Sequence, residues 1–214
     1  MNRRWGRDTL GPMIRFVPNI LTFGRLALTT IFLVMILLSP GQSEKATFLT
    51  VAFVLFVIAG LTDIIDGIVA RRYNVTSKFG RMVDPLADKV LVCGAFVCFA
   101  IIGEPKLFGW SEGFLRVVHW TVAGILIARE GYVTVLRHVA EARGVNFAAT
   151  ISGKIKMFLQ SFGIGTVVIK VAHFPQAQWT HWFTLVTFVV MLSVTIISGV
   201  KAMKRLSLGS PASE

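Results

Sequence analysis

Charged residues are scarce in this sequence, and acidic residues are the scarcest. Of 214 residues, 15% are charged, with 11 Asp and Glu against 22 Lys and Arg, whereas 54% are hydrophobic. So little charge is not typical of an ordinary soluble domain. The composition therefore predicts an integral membrane protein.

Cysteine and histidine are also rare, and their spacing predicts no metal site. Cys93 and Cys98 lie five positions apart in one apolar segment, where neither a disulfide nor a metal pair is expected. We interpret both as small packing residues. The four histidines do not form a ligand cluster: His119, His138, His173 and His181.

Alternating segments of about ten residues, which would indicate a membrane β-barrel, are missing. The chain has instead continuous apolar runs, each near the roughly 20 residues that a helix needs to cross a bilayer. These runs begin near Val17, Ala46, Leu86, Phe114, Ile155 and Phe183. We therefore predict an all-α bundle of six transmembrane helices over residues 17–205, followed by a disordered tail over 206–214.

The first 16 residues, MNRRWGRDTLGPMIRF, mix arginine with bulky apolar side chains. Such a juxtamembrane segment is typical of an amphipathic helix that lies along the membrane surface and is attracted by anionic lipid head groups. Gly6, Gly11 and Pro12 disfavour a helix here, so a disordered segment is the alternative.

The net charge of +11 predicts the orientation of the bundle. If the N-terminus is cytoplasmic, most basic residues fall on the cytoplasmic side, and Arg25 and Arg129 lie in helices near that side. The opposite side keeps only Lys45, Lys106, Arg116 and Lys170. The positive-inside rule then places both termini in the cytoplasm. Because the cations border apolar runs, we expect membrane lipids as partners and no nucleic acid.

Four of the eleven carboxylates are concentrated within 26 residues. Asp63 and Asp66 share one face of the second predicted helix, and Asp84 and Asp88 share one face of the third, near the same membrane level. We expect a polar loop over residues 72–83, after which Asp84 caps the third helix and Pro85 occupies its first position.

An ionised carboxylate inside a bilayer costs about 2.5 to 3.5 kcal/mol even on a lenient scale, and four together repel one another. Positive charge is therefore expected among them. Arg71, Arg72 and Arg81 supply it if the cluster is a structural ion-pair network. Two hard divalent cations are the alternative, and a pair of ions can clamp both ends of a phosphoryl displacement. A divalent-cation transporter or channel is a third possibility, although the outer helix halves show no matching acidic residues.

The residues around these carboxylates resemble the signature of the CDP-alcohol phosphatidyltransferases, D-x2-D-G-x2-A-R-x8-G-x3-D-x3-D. Every fixed position matches: Asp63, Asp66, Gly67, Ala70, Arg71, Gly80, Asp84 and Asp88. The resemblance implies six transmembrane helices around a cytoplasm-facing polar cavity, assembled as a homodimer. It also implies a reaction in which an alcohol hydroxyl attacks the lipid-linked phosphorus of a CDP-lipid and CMP leaves.

The same resemblance implies two divalent cations, Mg²⁺ or Mn²⁺, held by the four aspartates, with Asp88 also the candidate catalytic base. The start of the first helix, PNILTFGR, is similar to the N-x2-T-x2-R start of the family, with Pro18 expected in its first turn. The residues implied to bind the CDP-lipid are Asn19, Thr22, Arg25, Asp66, Gly67, Ala70, Arg71 and Gly80. Close helix packing at the small residues, and helix-to-helix hydrogen bonds from Asn19 and Thr22, are the alternatives.

Four further cations are predicted towards the cytoplasmic side, in IARE, VLRH and SGKIK: Arg129, Arg137, Lys154 and Lys156. They suit an acceptor alcohol that itself carries a phosphate, because guanidinium groups bind phosphate oxygens in pairs and ammonium groups add charge. Glu130 is expected to position Arg129 or Arg137. Positive-inside anchoring is the alternative for the two lysines.

The segments PNILTFGR, DPLADK, IARE and GKIK most resemble the phosphatidylglycerophosphate synthase branch of the family. This resemblance implies CDP-diacylglycerol as the donor, sn-glycerol 3-phosphate as the acceptor, and the inner membrane of a bacterium as the location. Met157 departs from the branch, in which many members read G-K-x-K-T, so inositol phosphate, serine and phosphatidylglycerol remain alternative acceptors.

Overall fold

The protein is described by a computed structural model that covers the backbone of residues 11–73, 78–142 and 151–208. Side chains are described for residues 22–62, 86–140, 153 and 155–204. The helices are α1 (Gly11–Leu38), α2 (Lys45–Tyr73), α3 (Lys78–Ile102), α4 (Glu112–Ala142), α5 (Ile151–His173) and α6 (Gln178–Leu208). A 3-10 turn, Ser39–Gly41, links α1 to α2. The described backbone contains no strand, which confirms the all-α prediction.

Four helices contain stretches that are long and apolar enough to cross a membrane. Within the described residues these stretches are Thr22–Gly41, Lys45–Thr62, Ile155–His173 and Gln178–Lys204. The prediction of six crossings is thus supported for α1, α2, α5 and α6, whereas α4 carries Arg116, Arg129, Glu130 and Arg137 along its length.

Two helices begin earlier than the sequence predicted. α1 begins at Gly11, so Pro18 lies inside the helix and not in its first turn. α3 begins at Lys78, so Asp84 is not its N-cap and Pro85 is not its first residue. α2 continues to Tyr73, which also shortens the loop predicted over residues 72–83.

The physical reason is that polar residues mark the end of an apolar run and not the end of a helix. Lys, Arg, Met and Phe adopt helical backbone at little cost, so a helix can continue beyond the hydrocarbon core. α6 likewise extends to Leu208. Residues 1–10 and 209–214 lie outside the described residues, so the interfacial helix and the disordered tail stay predictions.

The six helices close into a ring around a common core. α1 packs against α2 and α3, α5 against α2 and α6, and α4 against α3 and α6, while α3 also contacts α5 across the ring. Every helix contributes a buried apolar side chain to the central cluster. One from each helix in order is Phe32, Phe56, Phe96, Leu126, Ile164 and Met191. Burial of such side chains is the main source of packing between these helices.

Cys98 in this core is buried and Cys93 is half-buried, and both are free thiols. Gly163 and Gly165 lie where α5 packs tightly against its neighbours. A Cβ atom at Gly163 would lie 3.1 Å from Sδ of Met191, and one at Gly165 would lie 3.2 Å from Cε2 of Phe53. Small residues at such positions let helices pack closely in a membrane.

We expect Gly163→Val to destabilise the bundle by about 1–3 kcal/mol, because the added atoms overpack the contact with Met191. Thermal unfolding of the detergent-solubilised protein measures this effect. Gly124→Val is the matched control, since no atom lies within 4 Å of a Cβ at that position on α4. Equal melting temperatures for the two variants would show that the contact at Gly163 is not tight.

Candidate functional site

The described site residues lie at the end of the ring where α1, α3 and α5 begin and α2, α4 and α6 end. Four polar contacts join the helices there. Arg25 on α1 meets Asp88 on α3, Lys89 on α3 meets Thr134 on α4, Arg129 on α4 meets Ser198 on α6, and Lys156 on α5 meets Glu130 on α4. We call this region the polar end.

Arg25 and Asp88 bring together a predicted nucleotide-binding residue and the predicted catalytic residue. Arg25 Nη2 lies 3.6 Å from Asp88 Oδ1, a charge pair that is longer than a usual hydrogen bond. The Arg25 side chain is 6% exposed, and that of Asp88 is 28% exposed. Thr22, buried one turn before Arg25, lies on the same side of α1. The Asp88 carboxylate is thus held from one side and reachable from another.

The remaining predicted donor-site residues lie on described helices, but their side chains lie outside the described residues. Asn19 is on α1, Asp63 to Arg71 are on α2, and Gly80 and Asp84 are on α3. Among the described residues, no three His, Cys, Asp or Glu side chains are grouped closely enough to hold a metal ion. Of the four aspartates, those residues include only the side chain of Asp88. The predicted carboxylate cluster therefore stays a prediction.

The chemistry of the available donors fits Mg²⁺ or Mn²⁺. Asp63 and Asp66 on α2, and Asp84 and Asp88 on α3, offer hard carboxylate oxygens, and both helices pack against α1. Asp88 keeps part of its surface exposed at the polar end, so burial does not close it off from an ion. These four residues are the ones that could hold the predicted cations.

Glu130 on α4 is the centre of a buried cluster of charges. Its Oε1 accepts a hydrogen bond from Arg129 Nη1 at 3.0 Å and another from Lys156 Nζ. Arg129 also donates through Nη2 to Ser198 Oγ at 2.7 Å. The side chains of Arg129 and Glu130 are each 12% exposed, and that of Lys156 is 6% exposed. We call Arg129, Glu130, Lys156 and Ser198 the Glu130 cluster.

The Glu130 cluster contains two cations and one carboxylate, so it retains positive charge in a largely buried place. A buried charge of this kind is costly unless a counter-charge reaches it. An anionic group that enters the polar end can supply that counter-charge. The cluster therefore has the electrostatics of a binding site for a phosphate or a carboxylate.

The structure brings together two of the four residues predicted to bind the phosphate of the acceptor alcohol. Arg129 and Lys156 meet at Glu130, which confirms that Glu130 contacts Arg129. Arg137 is exposed two turns further along α4, and the side chain of Lys154 lies outside the described residues. The two lysines were not separable by spacing alone, because only the fold shows that Lys156 faces inward.

Sequence reasoning missed several polar residues that extend this region. Lys89 Nζ donates to Thr134 Oγ1 at 2.6 Å, and Thr134 Oγ1 donates to the backbone oxygen of Glu130 at 2.6 Å. Gln160, one turn beyond Lys156, is 1% exposed. Gln160 and Ser198 are polar residues in largely apolar stretches of α5 and α6, and this position was a sign of a possible role in the site. Polar residues in such helices, however, often form only hydrogen bonds between helices.

The predicted cytoplasm-facing cavity depends on side chains at residues 63–85, so it stays a prediction. Two other cavities, of about 400 and 500 Å³, lie at the opposite end of the ring. They are lined from α2, α5, α6 and the segment between α3 and α4. Neither includes Asp88 or a member of the Glu130 cluster.

Comparison with known proteins identifies relatives over most of the chain. A probable phosphatidylglycerophosphate synthase of Mycobacterium tuberculosis is 33% identical over 187 residues, which cover 87% of this chain and 79% of the relative. A CDP-diacylglycerol–glycerol-3-phosphate 3-phosphatidyltransferase of Bacillus subtilis is 31% identical over 195 residues, covering 86% of this chain and 91% of the relative. A protein of the same name from Rickettsia bellii is 33% identical over 153 residues, covering 72% and 75%.

The model of the CDP-alcohol phosphatidyltransferase family matches residues 15–191. That range contains the whole signature from Asp63 to Asp88, the pair formed by Arg25 and Asp88, and every member of the Glu130 cluster except Ser198. The resemblance found in the sequence is thereby confirmed, and the protein is an enzyme that belongs to the CDP-alcohol phosphatidyltransferase family.

Proposed function

We propose that this enzyme transfers a phosphatidyl group from CDP-diacylglycerol to sn-glycerol 3-phosphate, producing phosphatidylglycerophosphate and CMP. The observation that carries the choice of acceptor is the Glu130 cluster, whose two cations share a single carboxylate at the polar end. The names of the relatives from three bacteria agree with this choice. Membership of the family favours a transferase over a divalent-cation transporter or channel.

On the donor side, Asp63, Asp66, Asp84 and Asp88 would hold two divalent cations, Mg²⁺ or Mn²⁺. When bound, such ions neutralise charge on the phosphorus oxygens and on the departing CMP. The hydroxyl oxygen of the acceptor attacks the lipid-linked phosphorus, and the bond from that phosphorus to CMP breaks. Asp88 accepts the proton that the hydroxyl loses. Arg25, 3.6 Å away, orients the Asp88 carboxylate.

The CDP part of the donor is proposed to lie against the polar starts of α1 and α3 and the end of α2. Asn19, Thr22 and Arg71 supply polar groups for the nucleotide and its phosphates. Gly67, Ala70 and Gly80 leave room for close approach, because they carry little or no side chain. The buried position of Thr22 beside Arg25 supports a role for this face of α1.

On the acceptor side, Arg129 and Lys156 are proposed to bind the phosphate of glycerol 3-phosphate, with Lys154 and Arg137 nearer the entrance. Met157 is 40% exposed, whereas the neighbouring Lys156 is 5% exposed, so the two residues lie on different faces of α5. This separation supports the proposal that the acceptor site is intact even though Met157 replaces the threonine found in many members of the branch. Serine and phosphatidylglycerol present no terminal phosphate of this kind, and inositol phosphate is the closest competing acceptor.

We further propose that all six helices cross the inner membrane of a bacterium, with both termini and the polar end in the cytoplasm, and that the enzyme is a homodimer. The distribution of basic residues supports this orientation. Exposed tryptophans near the opposite end support a membrane–water interface at that end, because tryptophan favours this level of the bilayer. They are Trp110, Trp120, Trp179 and Trp182.

Release of CMP from CDP-diacylglycerol by the purified enzyme tests the proposed reaction. With Mg²⁺ present, we expect glycerol 3-phosphate to be used with a kcat/KM on the order of 10⁴ above that for glycerol, because a site with buried cations rejects an acceptor that leaves them unpaired. A chelator should stop the reaction, and added Mg²⁺ or Mn²⁺ should restore it. Equal rates with serine or inositol phosphate would contradict the proposed acceptor, and intact CDP-diacylglycerol would contradict the reaction.

Arg137→Ala should raise the KM for glycerol 3-phosphate roughly fivefold and leave kcat near the wild-type value, because Arg137 is exposed and contributes attraction more than a fixed contact. Initial rates at varied acceptor concentration separate the two constants. Arg116→Ala, near the other end of the same helix, is the control. An unchanged KM would remove Arg137 from the acceptor site.

A further inference from the structure

An apolar groove lies between α2, α5 and α6 at the end of the ring opposite the polar end. Its volume is about 400 Å³, within the range of sites that bind small ligands. The walls include Phe53 and Val57 on α2, Ile169 on α5 and Phe183 on α6. Along α5 the groove runs from Ser161 to Phe174, about 20 Å at the rise of a helix. One leaflet is half of a hydrocarbon core of about 30 Å, so the groove is long enough to hold an acyl chain across one leaflet.

A polar pocket of about 500 Å³ adjoins this groove at the turn between α5 and α6. Glu104 and Lys106, between α3 and α4, and Gln178 and His181, on α6, line it. Lys170 lines both the pocket and the groove, so the two spaces meet at its side chain. The combined space is apolar at one end and polar at the other, which is the shape expected for an amphipathic ligand.

Lys170 is a buried cation with few protein partners in the described part of the chain. It is 3% exposed, and its Nζ donates to the backbone oxygen of Pro175 at 3.2 Å. An ammonium group carries three donors. The carboxylate of Glu104, in the same pocket, binds Lys45 at 3.3 Å and accepts the backbone N–H of Lys106 at 3.0 Å. Glu104 attracts Lys170 across the pocket without a direct hydrogen bond between them. The one hydrogen-bond acceptor found for Lys170 among the described residues is a carbonyl, so its ammonium group is suited to an anionic ligand.

The other charges around the pocket do not reverse its sign. Lys45, Lys106 and Lys170 face two glutamates, and the second of these, Glu112, pairs with Lys106 at 3.8 Å in an exposed position. His181 Nδ1 accepts the backbone N–H of Phe108 at 3.3 Å, and a neutral imidazole adds no charge to the pocket. The pocket therefore favours an anion.

Aromatic side chains place the mouth of the groove at a membrane surface. Trp179 packs against Phe174 with ring centroids 5.5 Å apart, and both line the groove and are exposed. Trp182, also exposed, packs against Phe108 of the neighbouring pocket at 4.8 Å. Tryptophan side chains with one apolar and one polar end favour the level of the lipid head groups.

We propose that the groove and the polar pocket together bind one anionic phospholipid of the leaflet at this end of the bundle. One acyl chain occupies the groove, and the phosphate lies against Lys170 and Lys106. This lipid is not the donor substrate, because Arg25, Asp88 and the Glu130 cluster lie at the opposite end of the ring. A free phosphate ion would fill only the pocket and would leave the groove without a ligand.

Photolabelling of the full-length enzyme in lipid nanodiscs tests this proposal. Two phospholipids with a photoreactive acyl chain are compared, one with an anionic head group, phosphatidylglycerol, and one with a zwitterionic head group, phosphatidylcholine. We expect the anionic lipid to label α5 and α6 lining residues preferentially. Lys170→Gln should reduce that preference about fivefold, the effect of one cation near a membrane surface. Arg116→Gln, which removes a cation outside both spaces, should leave it unchanged.

Thr166→Trp provides the second test, because Thr166 lines the groove and the larger side chain fills it. Labelling by both lipids should fall, even if Lys170→Gln does not fold. Equal labelling by the two lipids in the wild-type enzyme, labelling that survives Thr166→Trp, or loss of labelling on addition of inorganic phosphate alone would overturn the proposal. Crosslinks from the groove to a second copy of the chain would also overturn it, since a protein surface would then occupy the groove.

Discussion

Asp88→Asn should lower turnover by about 10³-fold or more while the enzyme stays folded. Asparagine has the shape of aspartate, but it carries no charge and does not accept the proton of the acceptor hydroxyl. Loss of general-base catalysis alone costs about 10² to 10⁴ in rate, and loss of a metal ligand adds to that cost. The initial rate of CMP release measures the effect, and helix content by circular dichroism reports the fold.

A double variant separates catalysis from charge balance. Asp88 also pairs with Arg25 at 3.6 Å, so the single variant removes a charge opposite a nearly buried guanidinium. Arg25→Gln combined with Asp88→Asn removes both charges and should restore any lost stability without restoring turnover. If turnover returned in the double variant, Asp88 would be a structural partner of Arg25, and the ion-pair interpretation of the carboxylates would be favoured.

Glu130→Ala should have the largest effect on stability, a loss of about 3 kcal/mol or more. It leaves Arg129 and Lys156 close together without the carboxylate that both contact, and breaking a buried pair is typically this costly. Thermal unfolding in detergent and the yield of folded protein measure it. Glu112→Ala is the control, because its pair with Lys106 is exposed and such pairs contribute about 0 to 1 kcal/mol.

Glu130→Gln tests the same cluster in a milder form. The amide keeps a hydrogen-bond acceptor but removes the negative charge. An anion bound at Arg129 and Lys156 therefore stabilises this variant more than the wild-type enzyme. Glycerol 3-phosphate should therefore raise the melting temperature of this variant more than that of the wild type. The absence of a shift in both proteins would show that the cluster does not bind the acceptor. A Glu130→Ala variant as stable as Glu112→Ala would show that Glu130 does not stabilise Arg129 and Lys156.

The sequence was sufficient to predict the helices of the described residues and the family, because both depend on local patterns. Apolar runs of membrane length predicted the six helices, and the spacing from Asp63 to Asp88 predicted the family. The predicted starts of α1 and α3 were wrong by several residues. The boundary of an apolar run marks the edge of the hydrocarbon core, and a helix can begin several residues before it. Asp84 thus lies inside α3 and does not cap it.

The partners of the site residues could not be read from the sequence, because they depend on which helices are neighbours in the ring. Arg129 binds Ser198, which lies 69 positions later, and no local pattern pairs them. The same holds for Arg25 and Asp88. Likewise, only the orientation of α5 in the fold shows that Lys156 of GKIK reaches Glu130.

Counting bound Mn²⁺ by electron paramagnetic resonance tests most directly whether the carboxylates of α2 and α3 form a binding site for two cations. The wild-type enzyme should bind two ions per chain at saturation. Each of Asp63→Asn, Asp66→Asn, Asp84→Asn and Asp88→Asn should weaken or remove at least one of them, whereas Glu112→Ala should not. Unchanged binding of Mn²⁺ in all four asparagine variants would contradict a metal-assisted transfer at this end of the protein.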